Sequence, residues 1–408
     1  MSAAAQTALA NAARESQARL LAFLASRTRD LAAAEDALAD AYLAALETWP
    51  HSGIPSKPEA WLLTAARRRL IDVARHATVQ TEAAPSLLVA EHEARIAAAS
   101  DGAFPDERLK LMFICAHPAI DPAARTPLML QTVLRLDAAR IAAAFVVKPS
   151  TMGQRLTRAK AKIRDARIPF EVPDVNELAG RLDAVLEAVY AAFGTGWDDV
   201  AGSDPRANSL ASEAVALGRL VARLLPDEPE ALGLLALMLH CEARRDARRT
   251  PAGRYVPLAE QDTTRWTGAL IDEAEHLLVV AATTRRIGRF QLEAAIQSAH
   301  TQRMRNGRTD WDAIATLYEG LVRHAPALGA LVGRAAAVAE AHGAAAGWQL
   351  LSAIPTAAAT SYQPYWALTA HLLACLGRSE EAQRAYRHAA DLCEDQATRE
   401  FLLQRAMS

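Results

Sequence analysis

Cationic side chains are concentrated in one short stretch of the chain, STMGQRLTRAKAKIR, which begins at Ser150. Between Ser150 and Arg167, six Lys or Arg residues accompany a single Asp. Guanidinium groups can donate paired hydrogen bonds to a phosphate or to a guanine edge, and ammonium groups act as point charges toward phosphates. The chemistry open to this stretch is therefore the binding of an anionic polymer, with no bond made or broken.

The apolar residues of the same stretch predict how it folds. They recur at the spacing that lines one side of a helix, at Met152, Leu156, Ala159 and Ile163. The preceding segment DAARIAAAF predicts a second helix, in which Ile141 and Phe145 receive that apolar side. Between them, VVKPS predicts a short turn, because Pro149 fixes the backbone and the hydroxyl of Ser150 or Thr151 can cap the next helix. The pattern therefore predicts a helix-turn-helix with an outward cationic face.

A second cationic cluster lies in AARRRLIDVARH, around Arg67. The whole chain has a formal charge of −2, so any attraction to an anionic polymer must come from local clusters rather than from the mean charge. From Ala13 to His76 the pattern predicts helix with one loop, WPHSGIPSKP. The three prolines and the glycine of this loop are expected to end one helix, and Pro58 suits the first turn of the next.

The composition predicts a folded, helical protein. The chain has 408 residues, of which 51% are hydrophobic. This is enough for a large core and roughly two to four domains. Long runs without β-branched alternation predict an all-α fold. Residues 79–105 contain two prolines and lack sustained apolar periodicity, which predicts a linker.

The cysteines and the N-terminal sequence indicate a cytoplasmic protein. The four cysteines are scattered and form no CxxC pair, which is typical of reduced thiols in a cytosol. The first twenty residues lack a basic start followed by an apolar core, and no stretch reaches the ~18 uninterrupted apolar residues of a membrane span. We therefore expect neither secretion nor membrane insertion.

The composition changes after RIPFEVPD, which ends at Asp174. Cationic clusters become sparse, and helical runs are separated by LLPDEPE, RTPAGRY and RHAPALG, which predicts a series of helical hairpins. Further along, Leu376, Gly377, Tyr386 and Ala389 have the spacing of a tetratricopeptide-like repeat, in which the glycine permits the turn between two paired helices. The upstream pairs are too degenerate to define a period.

Three separated stretches together resemble the extracytoplasmic-function (ECF) sigma factors of bacterial RNA polymerase. They are DLAAAEDALADAYLAALETWP, KPEAWLLTAARRRLIDVARH and the segment from DERLKLMFICAHP to the cationic helix. The part after Arg167, with PDEPEALGLLALMLHCEARRDAR and EQDTTRW, looks like the long tetratricopeptide-like extension of one subgroup. The resemblance implies a region 2 domain at 10–78, a linker at 79–105, a region 4 helix-turn-helix domain at 106–168 and a helical extension at 169–408.

The resemblance also implies three binding surfaces, and hence a sigma factor that directs transcription initiation without a cofactor. The surface for core RNA polymerase is matched at Glu35, Asp36, Asp40 and Leu43. The surface for the downstream promoter element is matched at His51, Ser52, Lys57, Arg67, Arg68, Arg69 and Arg75. Within it, the loop from His51 to Lys57 corresponds to the capture of a flipped base. The surface for the upstream element is matched at Ser150, Thr151, Gln154, Arg155, Arg158, Lys160 and Lys162.

Some positions depart from the family's usual pattern. Ala39 stands where Gln is common, which affects the expected polymerase contacts, and Arg68 stands where Asn is common, which affects the promoter contacts. Gly153 lowers helix stability by up to ~1 kcal/mol relative to Ala, and it can let a phosphate approach closely. Thr263 and Thr267 replace an expected Arg and Asp around EQDTTRW.

Other classes of protein stay open from the residues alone. The cationic face is also typical of a solvated helix, and a helical scaffold could bind DNA as an ordinary repressor. A repressor has no need of the pair AEDALADAY and AWLLTAARRRLID. The sequence contains no nucleophile elbow, Walker loop, HExxH or paired Cys ligands, so we do not expect an enzyme.

The remaining motifs favour structural roles. We expect His240, Cys241 and His300 to be packed residues rather than metal ligands, and EQDTTRW to be a helix start with a capping network rather than a ligand pocket. The extension is expected to bind a regulatory protein or the polymerase through a concave helical surface, or to replace a separate anti-sigma protein by packing on the two DNA-facing regions.

Overall fold

The computed structural model describes residues 3–78, 107–145, 147–173, 175–198, 205–393 and 395–407. These residues form helices joined by turns and contain no strand, so the predicted all-α fold is confirmed. The predicted linker, residues 79–105, lies outside the described residues. None of the helices in these ranges is long and apolar enough to cross a membrane. The chain divides into two compact units, residues 1–192 and 193–408, which we describe separately.

The first unit is built from two groups of helices. Its described helices are α1 (Ala3–Thr28), α2 (Leu31–Ser52), α3 (Pro58–Thr78), α4 (Arg108–Cys115), α5 (Pro122–Thr132), α6 (Ala138–Ala144), α7 (Pro149–Asp165) and the beginning of α8 (Val175–Asp198). The helices α1, α2 and α3 pack together around the buried side chains of Leu24, Leu38 and Leu62. α4 buries Leu109 and every residue from Leu111 to Cys115, because both α1 and α5 pack on it.

The N-terminal helical region contains one more break than we predicted, between α1 and α2. Arg29 adopts a left-handed backbone with φ 55°. Asp30 then starts α2, because its carboxylate accepts a hydrogen bond from the amide of Ala33 at 3.1 Å. An aspartate that precedes an apolar run is an N-cap pattern, so the sequence did contain the information needed to place this break.

The predicted loop WPHSGIPSKP also starts later than expected. α2 continues through Pro50 to Ser52, and Gly53, with φ 86°, ends it. Pro50 lies in the last turn of the helix, where its missing N–H removes only one backbone hydrogen bond. The prediction that Pro58 begins the next helix is confirmed, since it is the first residue of α3.

The start of α7 differs from the prediction, although its packing agrees with it. Pro149 is the first helical residue and Lys148 lies at the N-cap without a side-chain hydrogen bond, so Ser150 and Thr151 do not cap the helix. Proline suits this position because the first helical N–H has no partner within the helix. The predicted apolar face is confirmed, since Met152, Leu156, Ala159 and Ile163 are buried. Ile141 of the preceding helix is also fully buried.

The second unit consists of helices that pack against their neighbours in pairs. They are α9 (Pro205–Leu224), α10 (Pro229–Glu242), α11 (Gly268–Thr283), α12 (Arg289–Thr301), α13 (Arg303–Asn306), α14 (Trp311–His324), α15 (Leu328–His342), α16 (Ala344–Ser352), α17 (Thr356–Ala359), α18 (Gln363–Cys375), α19 (Ser379–Asp391) and α20 (Gln396–Met407). Gly377, with φ 75°, turns the chain between α18 and α19, as its place in the sequence predicted. Tyr386 and Ala389 are buried in the same cluster as Leu373 of α18.

A long connection between α10 and α11, residues 243–267, ties the first part of this unit to its last helix. It contains short 3-10 helices at Arg245–Arg248, Leu258–Glu260 and Thr263–Arg265. Nη2 of Arg249 lies 2.8 Å from Oδ2 of Asp395. The ring of Tyr255 meets the ring of Phe401 of α20 edge-on, with the centroids 5.4 Å apart. The sequence pattern does not predict these contacts, because they join residues far apart in the chain.

Candidate nucleic-acid interface

Most of the side chains predicted to read the upstream element lie on the exposed face of α7. The exposed ones are Ser150, Thr151, Gln154, Arg158 and Lys162. Arg155 is partly buried, and its Nη1 donates a long hydrogen bond, 3.4 Å, to the carbonyl oxygen of Ala123 in α5. α7 presents this face because its apolar side packs against α5 and α6.

A partly open cleft of about 470 Å³ lies between this face of α7 and the start of α5. Its lining includes Ile120, Asp121, Thr151, Gln154, Arg155, Arg158 and Lys162. The carboxylate of Asp121 accepts from the amide of Ala123 at 2.9 Å and so caps α5. Cations beside an open cleft can hold phosphate oxygens and thereby position a nucleic-acid backbone.

Lys160 differs from the other predicted readers, because it points toward α2. Its Nζ lies 2.5 Å from Oε2 of Glu35, and the two side chains are 14% and 27% exposed. One predicted DNA contact is therefore paired with one predicted polymerase contact. Burial raises the pKa of the Glu35 carboxyl, and the charge of Lys160 offsets this only in part.

The face of α2 predicted to bind polymerase is acidic and carries one exposed apolar side chain. Asp36 is exposed, Leu43 is 58% exposed, and Asp40 pairs with Arg69 of α3. The exposed Glu47 extends the same face four residues beyond Leu43. Our sequence reasoning missed Glu47, although the helical spacing places it there. An acidic face with an apolar anchor suits a basic partner surface.

The predicted contacts to the downstream element on α3 differ in exposure. Arg68 and Arg69 are exposed. The guanidinium of Arg67 lies over the ring of Phe23 in α1, 4.9 Å from its centroid, so this side chain also joins α3 to α1. The side chain of Arg75 lies outside the described residues. The exposed cations of this part of α3 are therefore Arg68 and Arg69, and Arg69 is paired with Asp40 of α2.

The predicted base-capture segment, 51–57, combines the last two residues of α2 with the loop that follows. The side chains of His51, Ser52 and Lys57 are exposed. The Ser52 hydroxyl donates to the carbonyl oxygen of Thr48 at 3.0 Å. Trp49 and Trp61, on the two helices that flank the loop, pack edge-to-face with centroids 5.5 Å apart. Trp61 is partly buried and Leu62 is fully buried. Exposed polar groups on a loop braced in this way can hydrogen-bond an unpaired base.

Two histidines of the second unit are packed inside it, as predicted. His240 is fully buried, with its Nδ1 3.4 Å from Oγ1 of Thr301 and its Nε2 3.7 Å from Oε1 of Glu275. Burial lowers the pKa of His240 to about 3 and that of His300 to about 4, so both rings are neutral near pH 7. In the part of the chain that the structure describes, no group of three or more His, Cys, Asp or Glu side chains is placed to hold a metal ion.

The stretch EQDTTRW contains the predicted capping network, but the network caps the short 3-10 helix Thr263–Arg265 rather than the start of α11, which begins at Gly268. Oδ1 of Asp262 accepts from the amide of Thr264 at 2.9 Å and from its hydroxyl at 2.7 Å. The guanidinium of Arg303 lies over the ring of Trp266, 5.1 Å from its centroid, and donates to the carbonyl oxygen of Gln261 at 2.6 Å. These contacts fasten the turn to the chain after α12, so they stabilise the fold of this unit.

Two family models match parts of the chain: Sigma-70 region 2 at residues 13–79, and a Family of unknown function (DUF6596) at residues 181–282. An uncharacterized protein of Rhizobium meliloti (strain 1021) is 37% identical over 368 residues, which cover 89% of this chain and 87% of that protein. No solved structure matches the chain significantly. The region 2 match spans most of α1, all of α2 and all of α3, which carry the acidic and cationic faces described above. The chain therefore belongs to the same family as the Rhizobium meliloti protein, and the region 2 match supports a sigma-70 family factor with a role in RNA polymerase binding and promoter recognition.

Proposed function

We propose that the chain is an ECF-type sigma factor, which binds core RNA polymerase through α2 and brings α3 and α7 onto two promoter elements. The observation that carries this proposal is the coincidence of the region 2 match with two adjacent helices of opposite charge. On α2, Asp36 and Leu43 are exposed; on α3, Arg68 is exposed. In this role the chain acts by binding rather than by catalysis, and it works in the cytoplasm together with the polymerase.

Residues 10–78 are proposed to bind the minus-ten element and residues 106–168 the minus-thirty-five element. Helix-turn-helix proteins place their second helix in the major groove, and α7 holds that position after α6. Gln154 and Arg158 are exposed near the middle of α7, where they can reach base edges. Lys162 lies further along the helix and suits a phosphate, which fixes position without reading sequence.

Residues 169–408, from just before α8 onward, are proposed to form a tetratricopeptide-like extension that regulates this activity through a protein partner. Hairpins with close helix approach support this assignment. A Cβ atom at Gly347 of α16 would lie 2.4 Å from Cβ of Ala339 in α15, so the two helices touch through small residues. Run-off transcription with a chain that ends at Asp198 shows whether the extension inhibits transcription or is required for it. A rise in transcript means that the extension inhibits, and a loss means that activity requires it.

The proposed function is tested by complex formation and by transcription. Purified full-length chain is mixed with core RNA polymerase, the complex is separated by gel filtration, and run-off transcripts are sequenced from a genomic library. We expect a complex and a defined set of new start sites. A helix-turn-helix repressor would bind DNA without forming this complex, and that result would reject the proposal.

A pair of matched variants makes the test specific to α2. Leu43→Asp places a charge on the proposed polymerase face, where Leu43 is 58% exposed, so it should weaken the complex without unfolding the chain. Val279→Asp makes the same kind of change at a residue of α11 that is 65% exposed, and it should leave the polymerase complex intact. Equal losses with both variants would count against α2 as the contact.

A further inference from the structure

Glu35 and Lys160 lie 125 residues apart in the sequence and are joined by a direct ion pair within the first unit. Glu35 is on α2 and Lys160 is on α7. The neighbouring cations Arg158 and Lys162 are exposed on α7, whereas the side chain of Lys160 is only 14% exposed. The pair thus removes one charge from each of two surfaces that are proposed to bind different partners.

Two further polar groups, on α2 and α4, lie near the pair. Asp36 adds a second carboxylate next to Glu35, and the buried thiol of Cys115 in α4 lies near both members of the pair. Elsewhere on α2, the hydroxyl of Tyr42 is buried without a hydrogen-bond partner among the described residues, near the charge of Arg135. The helices α2 and α7 contact each other through few residues, so few interactions have to be exchanged when they separate.

We infer that the ion pair between Glu35 and Lys160 is a latch that holds α2 against α7 in the unbound chain, and that binding of core RNA polymerase at α2 opens it. This inference rests on the proposed function and adds a regulation to it. In the closed form, Glu35 of the polymerase face is not available to polymerase and Lys160 of the DNA face is not available to DNA. A basic surface that pairs with Glu35 releases Lys160 for promoter phosphates. Coupled binding equilibria are reciprocal. Phosphates that pair with Lys160 therefore raise the affinity for polymerase by the same factor by which polymerase raises the affinity for the phosphates.

The electrostatics of Glu35 indicate that the latch can be opened. Burial raises the pKa of its carboxyl even with Lys160 beside it. The contact with Lys160 in the closed form therefore does not fully offset the loss of hydration of the carboxylate. A partner that supplies a cation in a wetter setting can therefore compete for Glu35. Removal of either member leaves the other charge partly buried and unpaired, which disfavours the closed form.

The closed form can be measured on the unaltered full-length chain through its few lysines. They are Lys57, Lys110, Lys148, Lys160 and Lys162. Acetylation of each amine by a water-soluble reagent is followed over time by mass spectrometry, with the exposed Lys162 as the internal reference. We expect Lys160 to react at least about fivefold more slowly than Lys162. Glu35→Gln should remove most of this difference, whereas Asp36→Asn, which deletes the adjacent exposed carboxylate, should preserve it.

The coupling to polymerase is measured with a second pair of variants of the full-length chain. Lys160→Gln removes the cation that competes for Glu35, so its complex with core RNA polymerase in the absence of DNA should be roughly threefold to tenfold tighter than that of the unaltered chain. Lys162→Gln deletes the same charge from the same helix outside the latch, and it should leave the polymerase affinity unchanged.

The outcomes separate the latch from the function on which it rests. Equal acetylation rates at Lys160 and Lys162 in the unbound chain overturn the latch, whatever the polymerase does. Polymerase binding that is unchanged by Lys160→Gln, or equally tightened by Lys162→Gln, overturns the coupling while the proposed function stands. Protection of Lys160 together with no polymerase complex for any variant overturns the proposed function, and with it polymerase as the opener.

Discussion

Nε of Arg69 lies 2.6 Å from Oδ2 of Asp40, so an ion pair joins α3 to α2. The two side chains are 56% and 45% exposed. One of these residues was predicted to face promoter DNA and the other to face polymerase. At the surface their charges neutralise each other. Promoter DNA therefore has to displace Asp40 to pair with Arg69, and polymerase has to displace Arg69 to pair with Asp40.

Removing Arg69 should change stability little, because water and salt screen an exposed ion pair. We expect Arg69→Ala and Asp40→Ala each to lower the free energy of unfolding by no more than about 1 kcal/mol. Urea denaturation of the two single variants and the double variant gives the coupling between the side chains. A coupling well above about 1 kcal/mol would show that the pair is a structural element rather than a surface contact.

Arg158→Ala should weaken promoter binding and reduce its dependence on salt. Arg158 is exposed beside the cleft on α7, so its loss removes a cation without removing core contacts. If it contacts a phosphate, the slope of log affinity against log salt should fall by about one. If it reads a base, the sequence preference at one position of the upstream element should relax. Fluorescence anisotropy at several salt concentrations measures both effects.

The control for this experiment is Arg387→Ala, which removes an exposed cation from α19 in the second unit. It should leave both the promoter affinity and the salt slope as they are in the unaltered chain. Equal effects of Arg158→Ala and Arg387→Ala would argue that α7 makes no special contact with DNA.

Two glycine substitutions should shift stability in opposite directions. A Cβ at Gly153 of α7 meets nothing within 4 Å, so Gly153→Ala should stabilise the helix by up to about 1 kcal/mol. A Cβ at Gly347 would lie 2.4 Å from Cβ of Ala339 and 2.7 Å from the carbonyl oxygen of Ala335. Gly347→Ala should therefore destabilise the packing of α15 and α16 by about 1–3 kcal/mol. Thermal unfolding of both variants checks the two signs.

Gly153→Ala also tests whether Gly153 lets a phosphate approach the helix closely. If a phosphate approaches the helix backbone at Gly153, the added methyl group should weaken promoter binding even though the protein becomes more stable. Unchanged or tighter promoter binding would mean that Gly153 has no role in close approach to DNA.

Acid should destabilise the second unit, because His240, which is fully buried, and His300, which is partly buried, are both held in neutral form. The folded pKa values, about 3 for His240 and about 4 for His300, lie below the usual 6.5. As the pH falls below about 6.5 the unfolded chain takes up protons that the folded chain does not, and stability is lost by up to about 1.4 kcal/mol per pH unit and histidine. Circular dichroism melts across this range measure the slope. It should become shallower in His240→Gln and stay unchanged in His371→Gln, whose side chain is exposed.

A chain that ends at Pro173 should be less stable than one that ends at Asp198. The longer form keeps α8, whose Arg181 donates from Nη2 to the carbonyl oxygen of Phe113 in α4 at 2.7 Å. α8 also buries Leu186 and Val189. We expect a lower melting temperature for the shorter form, measured by calorimetry. Identical melting of the two forms would mean that α8 contributes nothing to the first unit.

Local patterns in the sequence predicted the helices and their apolar faces well. The buried row from Met152 to Ile163, the start of α3 at Pro58 and the turn at Gly377 depend on neighbours a few residues away, and such neighbours are visible in the sequence. The errors lay at helix ends, such as the unpredicted break at Arg29 and the late end of α2 at Ser52, where one capping bond or one proline decides between alternatives that differ by about 1 kcal/mol.

The sequence by itself thus determined an all-α chain with two cationic helices and an acidic one, because each of these features repeats at helical spacing. Only the tertiary structure decided which charges meet. Glu35 pairs with Lys160, Asp40 with Arg69, and Arg249 with Asp395. Each pair joins residues on different elements, so it depends on how those elements pack, and no periodicity along one helix carries that information.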